Sequence, residues 1–532
     1  ETKSRQLVSL QLAEFRRRRA KSIRIPAMSS SLRRPAAARP MAKSSAKGLN
    51  SHNRWSSLAN LIPEEEESYY QDDRLSNLPD DVLLNIVERL DIADAARTST
   101  LSRRWKPIPS MLHEISIKVG SVDPEHDRTC DEVVRANATI LGATRSLLEN
   151  RMANLHAIRC MRFFLGDAST TVGQTVRNTI STKKVGLAEF DILTEKVTKR
   201  CTHDDMVTYG RQLVAFVDAC PDTFCGLTRL KLENVMLGGS DFPKIFSICK
   251  RLVFLRLDNC NMGLMSLLEL QHPQLRELEM ENIQFERVDL NCLPELTTLT
   301  FSWWASPRDP LSFGYVPLLQ TVSIANTTLS YHKMLKLSEV LGNAAISNLH
   351  LNFESEKIWV KPEGPKELSQ VFNKLRLVHL ADISEDCDLT WTMFILQGAR
   401  SLEELRITVW DRCLLLRDKT ERKLQRYSEE KKDAGTEWET SASDFKHHNL
   451  SVLRIIGFQS EDKFVEYVTA VMEAAVNLKD TYLLEKPMCD TCTRMKIKDR
   501  YPRTTKRRNL IRSYFNMDMH PLLRIHFPVR TK

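Results

Sequence analysis

Between Leu227 and Ile455 one short figure returns nine times: apolar, two residues of any kind, apolar, one of any kind, apolar. It reads Leu227/Leu230/Leu232, Leu252/Leu255/Leu257, Leu275/Leu278/Met280, Leu296/Leu299/Phe301, Leu319/Val322/Ile324, Ile346/Leu349/Leu351, Leu375/Val378/Leu380, Leu402/Leu405/Ile407 and Leu450/Leu453/Ile455. The first members are spaced 25, 23, 21, 23, 27, 29, 27 and 48 residues apart, and all but the last step fall in the range of about 20 to 29 that marks leucine-rich repeats. A unit of this size supplies one short strand and one return segment, and neither can bury its apolar side until the next unit stacks on it. The pattern therefore predicts an α/β solenoid, a curved parallel sheet with helices or irregular turns on its convex side.

Looser copies precede the regular run, at Leu112/Ile115/Ile117, Ile158/Met161/Phe163 and Leu187/Phe190/Ile192. The standard motif places Asn or Cys eight residues after the first Leu. Only Cys260 does so here, while Val235, Ile283, Trp304, Ile383, Trp410 and Phe458 hold the equivalent place, so the array is expected to be irregular. The long final step holds a charged stretch, "DKTERKLQRYSEEKKDAGTEWETSASD", which reads as an exposed insertion over 411–447. Phe464, Val468, Val471, Met472, Ala475 and Leu478 share one helical face, which predicts a closing cap over 457–485.

The formal charge of +9 suggests nucleic acid until its distribution is considered. Residues 1–60 carry a net +12 and residues 494–532 a net +10, which leaves −13 for the body. Binding to phosphate calls for positive charge on the folded surface, so nucleic acid is an unfavoured partner. Residues 1–73, basic and then acidic ("PEEEESYYQDD"), and the basic 486–532 read as tails outside the folded body, the first of them disordered. Segment 1–55 also has the composition of a transit or nuclear-import signal, and the chain opens on Glu1, so it stands equally as sequence foreign to the native protein. No apolar run reaches the roughly 18 residues of a membrane span. The 12 cysteines lack disulfide-scaffold spacing, which favours a reducing compartment, nucleus or cytoplasm. No nucleophile elbow, phosphate loop, dinucleotide fingerprint or His-Glu-x-x-His motif occurs. Cys489-x-x-Cys492 has no second pair at zinc spacing, and His350 and His379, at matching strand positions, have no thiolate or carboxylate company. Neither metal nor other cofactor is expected, and no enzymatic activity.

Ahead of the repeats lies "LSNLPDDVLLNIVERLDIADAARTSTLSRRWKPIP", Leu75 to Pro109. Pro79 suits a helix start, and Asp80 and Asp81 face the positive end of the helix dipole. Leu78, Val82, Leu83, Ile86, Val87 and Leu90 follow on one face. Asp91 can cap a second short helix and Ser99 a third that carries Leu101 and Trp105. About 35 residues are too few for an independent core. The Leu-Pro start and the "LSRRW" ending resemble the F-box motif, here placed at 74–109. With the repeats at 110–456 and "NLSVLRIIGF" with its helix, the chain resembles plant F-box/leucine-rich-repeat proteins, including those with an FBD-type C-terminal region.

That resemblance implies a non-catalytic substrate receptor of an SCF-type ubiquitin ligase. The F-box would dock on a Skp-type adaptor, which joins it to cullin and RING subunits, and the repeats would hold the protein to be ubiquitinated. Carried over, Leu78, Pro79, Val82, Leu83, Ile86, Leu90, Leu101 and Trp105 become the docking wedge, some of them serving its internal core. Three other readings stay open: an N-terminal cap of the solenoid, a ligase-independent scaffold, and a nucleic-acid-binding repeat protein. Strand residues that alternate with the leucines project together from the concave face. Among them Lys231, Arg256, Glu277, Glu279, Glu281 and Arg406 are candidates for target binding, the three glutamates forming a spot where like charges repel.

Overall fold

A computed structural model describes residues 77–90, 92–120, 126–148, 155–182, 185–263, 266–326, 333–342, 344–355, 357–385, 387–410, 445–486, 500–515 and 522–528. The proposed tail 1–73, Asp91, the insertion over 411–444 and Cys489/Cys492 lie outside the described residues.

The apolar triplets supply twelve of the seventeen strands among the described residues, all twelve in one parallel sheet. In chain order the seventeen are β1 (Glu114–Lys118), β2 (Ala157–Phe164), β3 (Leu187–Leu193), β4 (Arg229–Glu233), β5 (Phe254–Asp258), β6 (Leu267–Gln271), β7 (Glu277–Glu281), β8 (Arg287–Cys292), β9 (Thr298–Ser302), β10 (Leu311–Tyr315), β11 (Thr321–Ala325), β12 (Asn348–Asn352), β13 (Leu377–Ile383), β14 (Glu404–Val409), β15 (Val452–Ile456), β16 (Asp480–Leu484) and β17 (Arg524–His526). Fourteen of them form the main sheet, with β6, β8 and β10 set apart in a sheet of three. Register follows the repeat residue for residue: Leu230 opposes Leu255, which opposes Leu278, then Leu299, Val322, Leu349, Val378, Leu405 and Leu453. Every member of that row is fully buried.

Return segments differ along the array, as the uneven spacing anticipates. Helices α3 (Cys130–Leu148), α4 (Ala168–Thr182), α5 (His203–Ala219), α6 (Pro221–Gly226) and α7 (Asp241–Ile248) serve the early repeats, numbered after the two N-terminal helices α1 (Asp80–Glu88) and α2 (Ile92–Thr98). The tight middle repeats, 21 to 23 residues long, have no room for a helix and return as β6, β8 and β10. Helices resume with α8 (Leu337–Leu341), α9 (Pro365–Val371), α10 (Met393–Gly398) and α11 (Asp462–Ala474). The 48-residue step leaves the stack unbroken, since Leu405 on β14 opposes Leu453 on β15 directly.

Two expectations need correction. The polar turn residue is present, one position earlier than sought: Asn234, Asn259 and Asn282 adopt φ of 56°, 52° and 58°, the left-handed region that Asn enters more readily than most residues. All three are buried. Asn259 Nδ2 donates to Asn234 Oδ1 at 2.7 Å, and Asn234 Nδ2 donates to Thr194 Oγ1 at 2.7 Å, so a chain of amides closes the strand ends. The basic C-terminal segment is also more than a tail. It holds α12 (Thr505–Tyr514) and β17, which pairs with β16 as the last strand of the sheet. Its arginines obscure a weak apolar figure, Ile511, Phe515, Leu523, Ile525 and Phe527, all buried.

Gly457 replaces the turn asparagine after β15. Its φ is +87°, and an added Cβ would lie 2.0 Å from the Val409 carbonyl oxygen. Gly457→Ala is therefore expected to cost more than about 1 kcal/mol in chemical denaturation. Gly239→Ala, which meets nothing within 4 Å, is expected to leave the midpoint in place.

Candidate functional site

The N-terminal unit is fused to the first repeat. Leu83, Val87, Ala95, Trp105, Ile108 and Leu112 join Ile115, Ile117, Ile140 and Leu147 in one continuous core. Pro79 precedes α1, and its carbonyl oxygen accepts from the amides of Val82 and Leu83 at 3.1 and 3.0 Å. Arg104 ties the far end of the unit back to this start: Nη2 donates to the Leu78 carbonyl at 3.1 Å and pairs with Asp80 at 2.6 Å. The third helical piece is not an α-helix begun at Ser99. Residues 99–107 turn back on themselves, and a 3₁₀ helix follows at Ile108–Met111.

This packing divides the eight wedge candidates. Leu83 and Trp105 face inward. Leu78 and Ile86 are partly buried and pack on the core. Pro79 is exposed, and Val82, Leu90 and Leu101 stand out at 39%, 39% and 67% exposure. Leu101 and Trp105, expected one helical turn apart on a shared face, instead fall on opposite sides of the turn segment. An exposed Leu-Val-Leu set on a unit of this size is the kind of surface that a protein partner covers.

The second surface is the open face of the sheet, where residues alternating with the buried ladder stand in register. Lys231 opposes Arg256, which opposes Glu279. The glutamates of β7 do not stand as uncompensated like charges. Arg256 lies between two of them, 3.5 Å from Glu279 and 3.0 Å from Glu281, and Arg229 reaches Glu277 at 3.7 Å. Lys231 and Arg229 share Glu189 at 2.6 and 3.0 Å. Glu277, with 45% side-chain exposure and the longest pairing, is the most available of the three. Arg406 is far along the sheet on β14 and bonds Glu404 at 2.9 Å, so it belongs to a different part of the face. Across β9, β11, β12 and β13 the same positions are uncharged: Thr298, Thr300, Thr321, Ser323, Asn348, His350 and His379.

His350 and His379 do meet on the sheet. Their rings stack at 4.6 Å with 5° between planes, and burial holds both basicities down, His379 to about 4. Among the described residues no group of three His, Cys, Asp or Glu could hold a metal ion. Of the described cysteines, Cys160, Cys201, Cys220, Cys249, Cys260 and Cys387 are buried. Burial pushes Cys160 up to about 11 and Cys249 up to about 12, away from nucleophilic use. Glu233, the last residue of β4, carries no sequence signal that marks it. It accepts from the Thr194 amide at 2.9 Å, and burial, with Asp258 and Asp191 nearby, raises its pKa to about 7.

A helical N-terminal unit fused to a parallel-sheet repeat array defines the class, a repeat protein with a helical N-terminal module. The F-box domain family model matches residues 75–113, and the model described as "At1g61320/AtMIF1, LRR domain" matches residues 212–512, more than half of the chain. The chain belongs to the F-box/leucine-rich-repeat proteins. The second match runs through α12, in agreement with the fold there. Similar relatives are two F-box/FBD/LRR-repeat proteins of Arabidopsis thaliana, At1g13570 (24% identical, 52% of this chain, 67% of the relative) and At5g56420 (25%, 50% and 62%). A third is the F-box/LRR-repeat protein At5g02910 of the same plant, 26% identical over 39% of this chain and 43% of the relative. The chain thus spans about two thirds or less of the length of these relatives.

Because Glu233 has a raised pKa in the folded chain, its neutral form is favoured there and its ionisation opposes folding. The stability it allows is full below the ordinary carboxylate pKa and is lost as pH rises toward about 7. Glu233→Gln keeps an acceptor for the Thr194 amide, and is expected to raise the melting temperature at pH 8 while changing it little at pH 4.

Proposed function

We propose that this chain is the substrate receptor of an SCF-type ubiquitin ligase, with no ubiquitin-transfer chemistry of its own. F-box and leucine-rich-repeat modules in one chain support a role of this kind. The observation that carries the docking part is the division within the F-box: Leu83, Val87 and Trp105 complete its internal core, while Val82, Leu90 and Leu101 remain outside. A Skp-type adaptor would cover that outer set together with Pro79 and the exposed edges of Leu78 and Ile86. Burying each large side chain contributes about 1.5 to 3 kcal/mol before association costs. Through the adaptor the chain would join cullin and RING subunits, in the nucleus or cytoplasm.

The target, a protein, would lie on the open face of the sheet. Its mixed charges set specificity and approach more than affinity, and Glu277, with the charged rows of β4, β5 and β7 around it, is where a basic group of the target would engage. Ionic pairs already present there have to be exchanged, not merely added.

Leu101→Asp is the cleanest test of docking, because 67% exposure leaves the fold intact while a charge enters an apolar interface at several kcal/mol. Recovery of a Skp-type adaptor is expected to fall to background with unchanged thermal unfolding. Leu83→Ala is expected to lose adaptor through unfolding of the unit itself, by about 2 to 5 kcal/mol. A folded Leu101→Asp chain that still binds adaptor would remove the proposed face. Converting Glu277, Glu279 and Glu281 together to Gln is expected to retain adaptor and to lower target recovery. Unchanged recovery would move the target site off this part of the sheet.

A further inference from the structure

From β12 to β17 one row of the open face is made almost entirely of planar groups. His350 opposes His379, then Arg406, Arg454, Tyr482 and His526, each in register with the next strand. Strand spacing in a sheet is about 4.8 Å, and three neighbouring pairs of the row stack close to that interval. The two imidazoles lie 4.6 Å apart, the Arg454 guanidinium is 4.1 Å from the Tyr482 ring centre, and Tyr482 and His526 stack at 4.5 Å with 13° between planes. Glu404 holds the two arginines in place, accepting from Arg406 at 2.9 Å and Arg454 at 2.8 Å.

The row ends at a hollow of about 340 Å³ lined by Tyr482, Arg508, Arg512, Ile525, His526, Phe527 and Pro528. Tyr482, His526 and Phe527 give it aromatic surface, and two guanidiniums from α12 stand 5.8 and 5.2 Å from the Phe527 ring centre. Among the described residues no carboxylate lines it. The acid nearest in register, Asp480, is occupied by Arg524 at 2.9 Å and His526 at 2.7 Å. Arg508 Nη2 is enclosed and makes no hydrogen bond among the described residues.

We propose that this hollow binds a planar aromatic anion, whose ring adds the next rung to the stack on His526 and whose negative group pairs with Arg508 and Arg512. A simple anion gains charge pairing without the stack, and a neutral ring gains the stack without the pairing. Cations are repelled by both arginines. The site lies at the opposite end of the sheet from the F-box and does not depend on adaptor or target.

The test is calorimetric titration of the purified full chain with three probes: 2-naphthoate, 2-naphthylmethanol and inorganic phosphate. 2-Naphthoate is expected to bind at least tenfold more tightly than either of the others. Arg512→Gln, on the exposed side of α12, is expected to weaken naphthoate at least tenfold in a chain that stays folded, the loss of its bond to the Ile525 carbonyl only lowering the midpoint, and His526→Ala, which also gives up its 2.7 Å pairing with Asp480, to weaken it as much by removing the last rung. Arg376→Gln, which removes an ion pair with Glu403 outside the hollow, is expected to bind as the wild type does. Absence of naphthoate binding at millimolar probe, equal binding of naphthylmethanol, or full binding by a folded Arg512→Gln chain would each overturn the proposal.

Discussion

Everything in this molecule depends on the side-chain row that begins at Phe190 and continues through Leu230, Leu255, Leu278 and Leu299 to Leu453. No strand of five residues is stable alone. Each is held because its leucine is covered by the leucines of the strands before and after it, so burial is a property of the stack and not of any one repeat. Fixing the buried row also fixes the residues between, and the open face is thereby set as a lattice of in-register positions. Ion pairs such as Arg256 with Glu279 and Glu281, and stacks such as Tyr482 on His526, follow from that lattice at one strand spacing.

The same row explains why the F-box sits where it does. A parallel sheet has two open edges, and an uncovered apolar edge invites unwanted pairing. Ile108, Leu112 and Ile115 carry the core of the F-box directly into β1, so the F-box also closes the first edge of the array. Capping the solenoid and the proposed binding of a partner are compatible, because they use different faces of one unit. The inward residues, Leu83, Val87 and Trp105, serve the first role, and Val82, Leu90 and Leu101 stand exposed, available for the proposed second.

The aliphatic row was legible at single-residue precision, because side chains of a parallel sheet share one period and one register. The asparagine turn lies one position away from the standard motif: the motif places its polar residue eighth after the first leucine, while the left-handed residue here is the seventh. The "Asn" of Asn234, Asn259 and Asn282 was plain to see, and only its offset was wrong. Strand β17 was hidden for another reason. Net charge dominates the segment from Arg500 onward, and the few apolar residues there are buried by β16, which composition does not reveal. Within the F-box, helical periodicity identified apolar residues without telling which side would be covered. Leu101 and Trp105 part company because the segment between them turns, a detail that spacing alone does not carry. The charge balance of the β7 glutamates was likewise invisible until the register placed Arg229 and Arg256 beside them.

The central claim is that one side of the F-box holds the fold and the other holds an adaptor. Hydrogen–deuterium exchange of the full chain, alone and with a purified Skp-type adaptor, reads both sides at once. The account predicts added protection across Pro79–Leu90 and around Leu101, with exchange in β4 to β16 unchanged. Protection confined to the strands of the open face, or an F-box whose exchange is the same with and without adaptor, would contradict it.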